Sequence, residues 1–237
     1  MKANYAIPSE SVASHTPVHP SVFTLLILPY GIMSGYVTVT LAYLFAKEGI
    51  SVDKIAALVA GILLPHIFKF IWAPLVDSTL SLKKWYLIAN FASALGILAT
   101  GILPINESSL LPITSIVIFA NFAVTFLGMS TQGLMAYDVP EELKGRAGGF
   151  WNAGNLGGAG LGGGAGLWLA QRLPEEWMVA AILTLTCITC CIGLMFVKEP
   201  KSTIREFHIG KTYSNLFKDV WRTLKTKMGI LAMLLAF

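Results

Sequence analysis

Residues 55–84 read IAALVAGILLPHIFKFIWAPLVDSTLSLKK, an apolar run that ends in an acid and two adjacent lysines. Within residues 55–76, Lys69 is the only Asp, Glu, Lys or Arg. A bilayer core about 30 Å thick is crossed by about 20 mostly apolar residues of α-helix. The run is therefore predicted to cross a membrane as a helix that ends near Asp77.

The composition of the whole chain agrees with this interpretation. Of 237 residues, 55% are apolar and only 13% are charged, whereas an average soluble domain has about a quarter of its residues charged. A soluble domain of this composition would expose a largely apolar surface, and a disordered chain would need more charge. The formal net charge of +4 lies on no water-soluble basic domain, so nucleic acid is not an expected partner. Membrane lipid is the expected surroundings.

Apolar runs of span length recur along the chain and predict six membrane helices. They cover residues 21–46, 55–76, 85–104, 110–136, 147–170 and 177–197. The predicted fold is an all-α, polytopic six-helix bundle over residues 21–197, after a short tail, 1–20. A basic linker, 198–227, follows it, and its amphipathic part, 211–227, suits either an anionic leaflet or a solvated linker helix. Residues 228–237 begin another apolar run, which we expect to start a seventh helix.

The Lys and Arg residues are distributed unevenly between the predicted loops. With the N-terminus inside, thirteen of the 17 fall on inner segments and three on outer loops. Short cytoplasmic loops carry an excess of Lys and Arg. This asymmetry predicts that the N-terminus and residues 198–227 lie in the cytoplasm.

The three cysteines, Cys187, Cys190 and Cys191, all lie inside the last apolar run. A CxxC pair can indicate zinc or redox chemistry. The neighbouring residues are Leu, Ile, Thr and Gly, so buried and unreactive thiols are the favoured interpretation. We expect neither a metal nor a cofactor.

Eleven of the 22 glycines fall between Gly145 and Gly166. A phosphate-binding loop is not predicted, because no strand precedes the run and no Lys-Ser/Thr pair follows it. Small residues that let helices approach closely explain the run better. Gly157 and Gly158 are the packing positions predicted here.

The string from His66 to Asp77, followed by two lysines and Trp85, resembles the signature of the AmpG-like muropeptide permeases and the acetyl-coenzyme A transporters. Gly31 and Gly35 resemble the glycine-bearing first helix of that group. The helix layout is similar to the N-terminal half of the major facilitator superfamily. One departure is that Gln132 is followed by glycine, where the group often has Asp.

The resemblance implies the N-terminal half of a 12-helix secondary transporter in the bacterial inner membrane. A missing C-terminal half would then be a partner. The solute would be muropeptide-like, acyl-coenzyme A or siderophore-like, and would move by alternating access, with proton symport as the driving force. The runner-up interpretation is a six-helix membrane scaffold or assembly protein without transport activity. An intramembrane enzyme is disfavoured, because the sequence has no HExxH motif and no paired intramembrane carboxylates.

Charged residues in the predicted inner loops are candidates for an inner gate. Asp77, Lys83 and Lys84 resemble the gate motif of the superfamily, and Glu142 and Arg146 on the next inner loop are predicted members of the same network. A carboxylate at a domain interface can pair with cations or cap a helix on the opposite bundle. The alternative is a solvated loop whose lysines only set the topology.

Polar residues inside the predicted spans are candidates for the pathway of the solute or the proton. His66 is predicted to carry a coupling proton or to remain neutral and bonded to a neighbour. Lys69 is an intramembrane charge that is either functional or snorkels to the surface. The remaining candidates, which alternatively make only helix–helix hydrogen bonds, are Tyr30, Asn121, Gln132, Asn152 and Asn155.

Breaks in the first two helices are candidate hinges. Pro65 and Pro74 lack the N–H that an α-helix needs and are predicted to interrupt the second helix. Gly31 and Gly35 are predicted to serve the first helix in the same way or to allow close packing.

Overall fold

The computed structural model describes residues 18–199, together with Arg222 and Thr226. The predicted tail, the amphipathic segment of the linker and the start of a seventh helix lie outside the described residues. Within the described part, helices follow one another and no strand occurs. The predicted all-α membrane bundle is confirmed.

Six helical rods, here α1 to α6, form the bundle. The rod α1 consists of Val22–Gly35, a π-helical segment Tyr36–Leu41 and Ala42–Lys47; α2 consists of Val52–Gly61 and Leu63–Ser78; α3 is Leu82–Ile102; α4 is Leu110–Asp138; α5 consists of Lys144–Gly160, a π-helical segment Leu161–Ala165 and Gly166–Ala170; and α6 consists of Glu176–Thr189 and a 3₁₀ segment Cys190–Met195. Short connections join them, and the most extensive packing is between α1 and α5 and between α3 and α4.

Five rods are long and apolar enough to cross a membrane, namely α1, α2, α3, α4 and α6. The rod α5 covers the fifth predicted span and is equally continuous, but it is not among the five. This rod is long enough to cross a membrane. Its many glycines carry no apolar side chain and therefore lower its mean hydropathy.

The rods α1 and α5 touch backbone to backbone. A Cβ atom added at Gly158 would lie 2.3 Å from the carbonyl oxygen of Leu28, and one added at Gly162 would lie 2.0 Å from that of Ile32. The contact points advance together along both chains, so the two helices run in the same direction. Helices approach this closely only where side chains are absent on the contact face.

The π-helical segments of α1 and α5 pack against each other. A π-turn shifts the backbone pairing, and its carbonyl groups then need other donors. The hydroxyl of Thr40 donates to the carbonyl oxygens of Gly162 and Gly163, at 2.7 and 3.1 Å. Thr40 therefore locks the two irregular segments together.

The second helix is interrupted at Ile62, between Val52–Gly61 and Leu63–Ser78. Pro65 cannot donate to the carbonyl of Gly61, which explains a break at this level. The helix continues through Pro74 without an interruption. The two prolines predicted to break the helix thus differ: the first follows a break and the second does not.

The remaining rods complete the bundle around α1. The rod α3 packs between α4 and α6. The amide of the fully buried Asn90 donates to the carbonyl oxygen of Cys187 at 2.8 Å and to Cys191 Sγ at 3.0 Å. The cysteines are free thiols, and they serve here as packing and hydrogen-bonding groups on α6.

The turn between α1 and α2 requires glycine. Gly49 has a φ of 76°, which L side chains rarely adopt. Its N–H bonds the carbonyl of Ala46 at 3.0 Å, and that of Ile50 bonds the carbonyl of Phe45 at 3.1 Å. This is the Schellman arrangement that ends a helix.

Candidate functional site

A pair of polar side chains joins α1 to α2 in the middle of the bundle. The hydroxyl of Tyr30 lies 3.4 Å from Nδ1 of His66, and the two rings meet edge to face with centroids 5.7 Å apart. Both side chains are half-buried. Gly128 on α4 leaves space for the phenol, because a Cβ atom there would lie 3.2 Å from Tyr30 Cε2.

Asn121 on α4 extends this pair. Its side chain is 2% exposed, and its amide donates to the carbonyl of Val117 at 2.9 Å. It also lies near the His66 imidazole. Three of the predicted pathway residues, from three helices, therefore form one group, which we call the polar cluster: Tyr30, His66 and Asn121.

Lys69 lies one helical turn from His66 and interacts with it electrostatically. Residues three apart share a helix face, so the ammonium group belongs to the side of α2 that carries the polar cluster. Lys69 is exposed, and the described residues provide no ion-pair partner for it. It is also the only Asp, Glu, Lys or Arg in the six predicted spans.

Trp151 on α5 borders the polar cluster, although the sequence did not nominate it. Its ring lies 6.2 Å from that of Tyr30. Its indole Nε1 is buried and has no hydrogen-bond partner in the described part of the protein. Buried Trp N–H groups usually find an acceptor. The sequence offers no signal that singles it out, because the same rod also contains Trp168.

The other predicted pathway amides lie apart from the polar cluster. Asn152 is exposed and donates to the carbonyl of Gly148 at 3.1 Å. Asn155 is half-buried, with its backbone against Gly31, and Gln132 on α4 is exposed. Among the described residues, no side-chain hydrogen bond links these three amides to Tyr30 or His66.

The predicted packing glycines face different surroundings. Gly31, Gly35 and Gly158 meet the backbone of the facing helix, whereas a Cβ atom at Gly157 would meet nothing within 4 Å. A residue next in sequence is rotated by about 100° on a helix. Gly157 therefore lies on the open face of α5, and Gly158 lies on the contact face.

The lysines predicted for the inner gate hold the ends of helices. Lys83 Nζ donates to the carbonyl of Leu194 at 2.8 Å, and its backbone N–H donates to Glu199 Oε1 at 3.3 Å. The backbone N–H of Lys84 donates to the hydroxyl of Ser81 at 3.4 Å, which caps α3. The positive charge of Lys83 thus lies at the carbonyl end of α6, where a cation is favourable.

Asp138, at the end of α4, contributes to the same end of the bundle. Its side chain is 3% exposed, and Oδ2 accepts the backbone N–H of Lys198 at 2.9 Å. The chain leaving α6 is therefore held to both α3 and α4. This acid was not among the residues predicted from the sequence, because its partner is a backbone group distant in sequence.

The other predicted gate residues do not meet these lysines in the described structure. Arg146 lies over the ring of Phe150 at 5.8 Å, and Glu142 is exposed on the connection before α5. Asp77 is in the last turn of α2, and its side chain lies outside the described part. Among residues 18–199, no ion pair joins Glu142 to Lys83 or Lys84.

The tryptophan of the signature string holds α2 against its neighbours. Trp72 Nε1 donates to Thr125 Oγ1 at 2.9 Å, and its ring lies 4.7 Å from that of Phe122. Trp85 on α3 stacks on Phe126 at 4.8 Å. These aromatic contacts connect α2, α3 and α4 beyond the polar cluster, on the side of α2 nearer Asp77.

An apolar groove between α2 and α4 is separate from the polar cluster. It has a volume of about 570 Å³, and its lining is almost wholly apolar, from Leu64, Phe68 and Trp72 on α2 to Ile118 and Phe119 on α4. None of the polar-cluster residues lines it. The groove lies where the predicted membrane lipid would contact the bundle.

Comparison with known families gives one match. The family model described as Major Facilitator Superfamily matches residues 23–237. Among curated proteins, no match is found.

Proposed function

The chain belongs to the major facilitator superfamily of membrane transporters, and on this premise we propose that it is a six-helix half of an AmpG-like secondary transporter. The solute is a polar organic molecule of the muropeptide, acyl-coenzyme A or siderophore-like kind. Transport takes place across the bacterial inner membrane, with the N-terminus in the cytoplasm.

The observation that carries this proposal is the polar cluster. Tyr30 and His66 meet at 3.4 Å between two largely apolar helices. Polar groups inside a membrane are costly and are retained where a solute or ion passes. The cluster joins three helices, so a change in their relative positions alters its hydrogen bonds.

Proton coupling is assigned to His66. The six predicted spans contain no Asp or Glu, so histidine is the side chain here that can change its charge near neutral pH. A proton on His66 adds a second cation beside Lys69. Release of that proton on the other side of the membrane favours return of the empty transporter.

Alternating access needs a second unit that packs against the open side of this bundle. We propose a second six-helix half as this partner. Part of α2 outside the apolar groove is exposed, including Ile67 and Phe70, and one face of α5 is open at Gly157 and Gly164. The gate near Asp77, Lys83 and Lys84 then opens and closes as the halves rock.

Transport and its coupling are tested with the reconstituted protein in liposomes under an imposed pH gradient, inside alkaline. Uptake of a radiolabelled anhydromuropeptide, of acetyl-coenzyme A and of a ferric siderophore is measured. We expect gradient-dependent uptake of one of them. His66→Gln should abolish its dependence on the gradient, whereas the control His19→Gln, at an exposed histidine before α1, should not.

Two outcomes contradict the proposal. If none of the three solutes accumulates, the scaffold interpretation is favoured over transport. If His66→Gln retains gradient-driven uptake, then His66 does not carry the proton.

The gate is tested by Asp77→Asn in the same assay. Loss of one negative charge at the end of α2 should slow uptake about tenfold or more while membrane insertion stays normal. Asp53→Asn is the matched control, because Asp53 is an exposed acid in the first turn of the same rod. Equal uptake by the two variants would remove Asp77 from the gate.

A further inference from the structure

We propose that Tyr30 of the polar cluster, together with the neighbouring Lys69 and Trp151, binds an anionic group of the solute, a carboxylate or phosphate, and that the indole N–H of Trp151 donates to it. This inference deepens the proposed function and rests on it, because the bound molecule is a solute only if the protein is a transporter. The binding step itself is testable without transport.

The first argument is an excess of donors over acceptors. Lys69 offers an ammonium group, Trp151 an indole N–H and Tyr30 a hydroxyl. Ammonium and indole groups have no acceptor capacity. Because the six predicted spans contain no carboxylate, the helices themselves supply no anion for Lys69.

The second argument is the state of Trp151. Its Nε1 is buried and without an acceptor in the described part of the chain, which is unfavourable. The ring is held beside Tyr30, with centroids 6.2 Å apart, so the donor is kept in place at the edge of the polar cluster. A ligand oxygen arriving there would satisfy it.

The third argument is the arrangement around Tyr30. The Tyr30 ring is a neighbour both of His66, at 5.7 Å between ring centroids, and of Trp151, at 6.2 Å. Lys69 follows His66 by one turn on α2. A carboxylate or phosphate has several acceptor oxygens and can engage a charged and a neutral donor together.

The inference is tested by binding to the purified chain in lipid nanodiscs, measured by isothermal titration calorimetry. Two matched probe pairs separate the anionic group from the rest of the molecule. One pair is N-acetylmuramic acid and N-acetylglucosamine, and the other is adenosine 3′,5′-bisphosphate, the phosphorylated nucleoside of coenzyme A, and adenosine. We expect the acidic member of at least one pair to bind at least tenfold more tightly than its neutral partner.

Two variants locate the binding. Trp151→Phe keeps an aromatic ring and removes the N–H, and it should weaken binding of the acidic probe about tenfold without changing that of the neutral probe. Lys69→Gln should reduce the preference for the acidic probe further. Trp168→Phe is the control, because Trp168 is an exposed tryptophan on the same rod, stacked with Arg172 at 4.2 Å, and it should bind like the wild type.

The inference is overturned if neutral and acidic probes bind equally, if no probe binds, or if Trp151→Phe binds the acidic probe as the wild type does. Its failure differs from that of the proposed function. Selective, Trp151-dependent binding by a protein that moves no solute would preserve the anion site and refute transport. Transport by a protein that binds acidic and neutral probes equally would preserve the proposed function and refute the anion site.

Discussion

Replacement of Gly162 by alanine tests the backbone contact between α1 and α5. The added Cβ would lie 2.0 Å from the carbonyl oxygen of Ile32, whereas ordinary contacts begin at 3.4 Å. The two helices would have to separate locally by about 1.4 Å, and the obstacle is backbone, which cannot rotate away. The neighbouring contacts of Gly158 and Gly35 would open with it.

The magnitude follows from a comparison with Gly164→Ala. Both glycines lie in the same π-helical segment, but a Cβ atom at Gly164 would meet nothing within 4 Å. The gain from replacing glycine by alanine in a helix, up to about 1 kcal/mol, is common to both variants. The difference between them therefore isolates the overpacking, at about 1–3 kcal/mol. We expect a cost in the upper half of this range, because the added Cβ atom clashes with backbone, which cannot move aside as a side chain can.

The assay is unfolding of the purified chain in mixed micelles of dodecyl maltoside with increasing sodium dodecyl sulfate, followed by circular dichroism. We expect Gly162→Ala to unfold at a lower detergent fraction than the wild type and Gly164→Ala to unfold at the same or a higher fraction. Gly158→Ala, with its Cβ 2.3 Å from the carbonyl of Leu28, should behave like Gly162→Ala. Equal stability of Gly162→Ala and Gly164→Ala would refute the close contact.

Three further changes probe other contacts. Tyr36→Phe removes the buried hydroxyl that lies 3.0 Å from Thr100 Oγ1 and should lower the free energy of unfolding by about 1 kcal/mol; an unchanged midpoint would show that this bond adds nothing. Asp138→Ala removes the acceptor for the backbone N–H of Lys198 at 2.9 Å. Hydrogen exchange at that amide should therefore accelerate about tenfold, and unchanged exchange would contradict a protective role of this hydrogen bond. Gly49→Ala, at a φ of 76°, should cost about 1 kcal/mol, whereas Gly49→Asn should cost less; equal costs would count against a steric origin.

Hydropathy was sufficient to predict the helices because each needs only its own residues to satisfy its backbone. Five of the predicted spans reappear as long apolar rods. The glycine-rich α5 was also predicted as an apolar run of span length, and it forms a helical rod although it is not among the five that are apolar enough to cross a membrane. The sequence alone could not predict the π-helical segments at Tyr36–Leu41 and Leu161–Ala165. Thr40 in the first segment bonds carbonyl groups of the second, and the two segments are far apart in sequence.

Part of the polar cluster was also predictable. An uncompensated polar group inside an apolar run is unusual on its own, so His66, Tyr30 and Asn121 could be nominated without coordinates. Trp151 could not, because a tryptophan in a membrane helix is ordinary until its N–H is seen to be buried without an acceptor. Lys83 on α3 was predicted as a gate residue, and its ammonium group bonds the carbonyl of Leu194 at the end of α6.

The sequence by itself determined that this chain is a helical membrane protein and where its polar residues fall along each helix, because span length and hydropathy are properties of local segments. Only the tertiary structure decided which of two adjacent glycines faces α1 and which side chains surround Tyr30. Those outcomes depend on how each rod is rotated about its axis and on which rods become neighbours. Both are set by packing between residues that are distant in sequence.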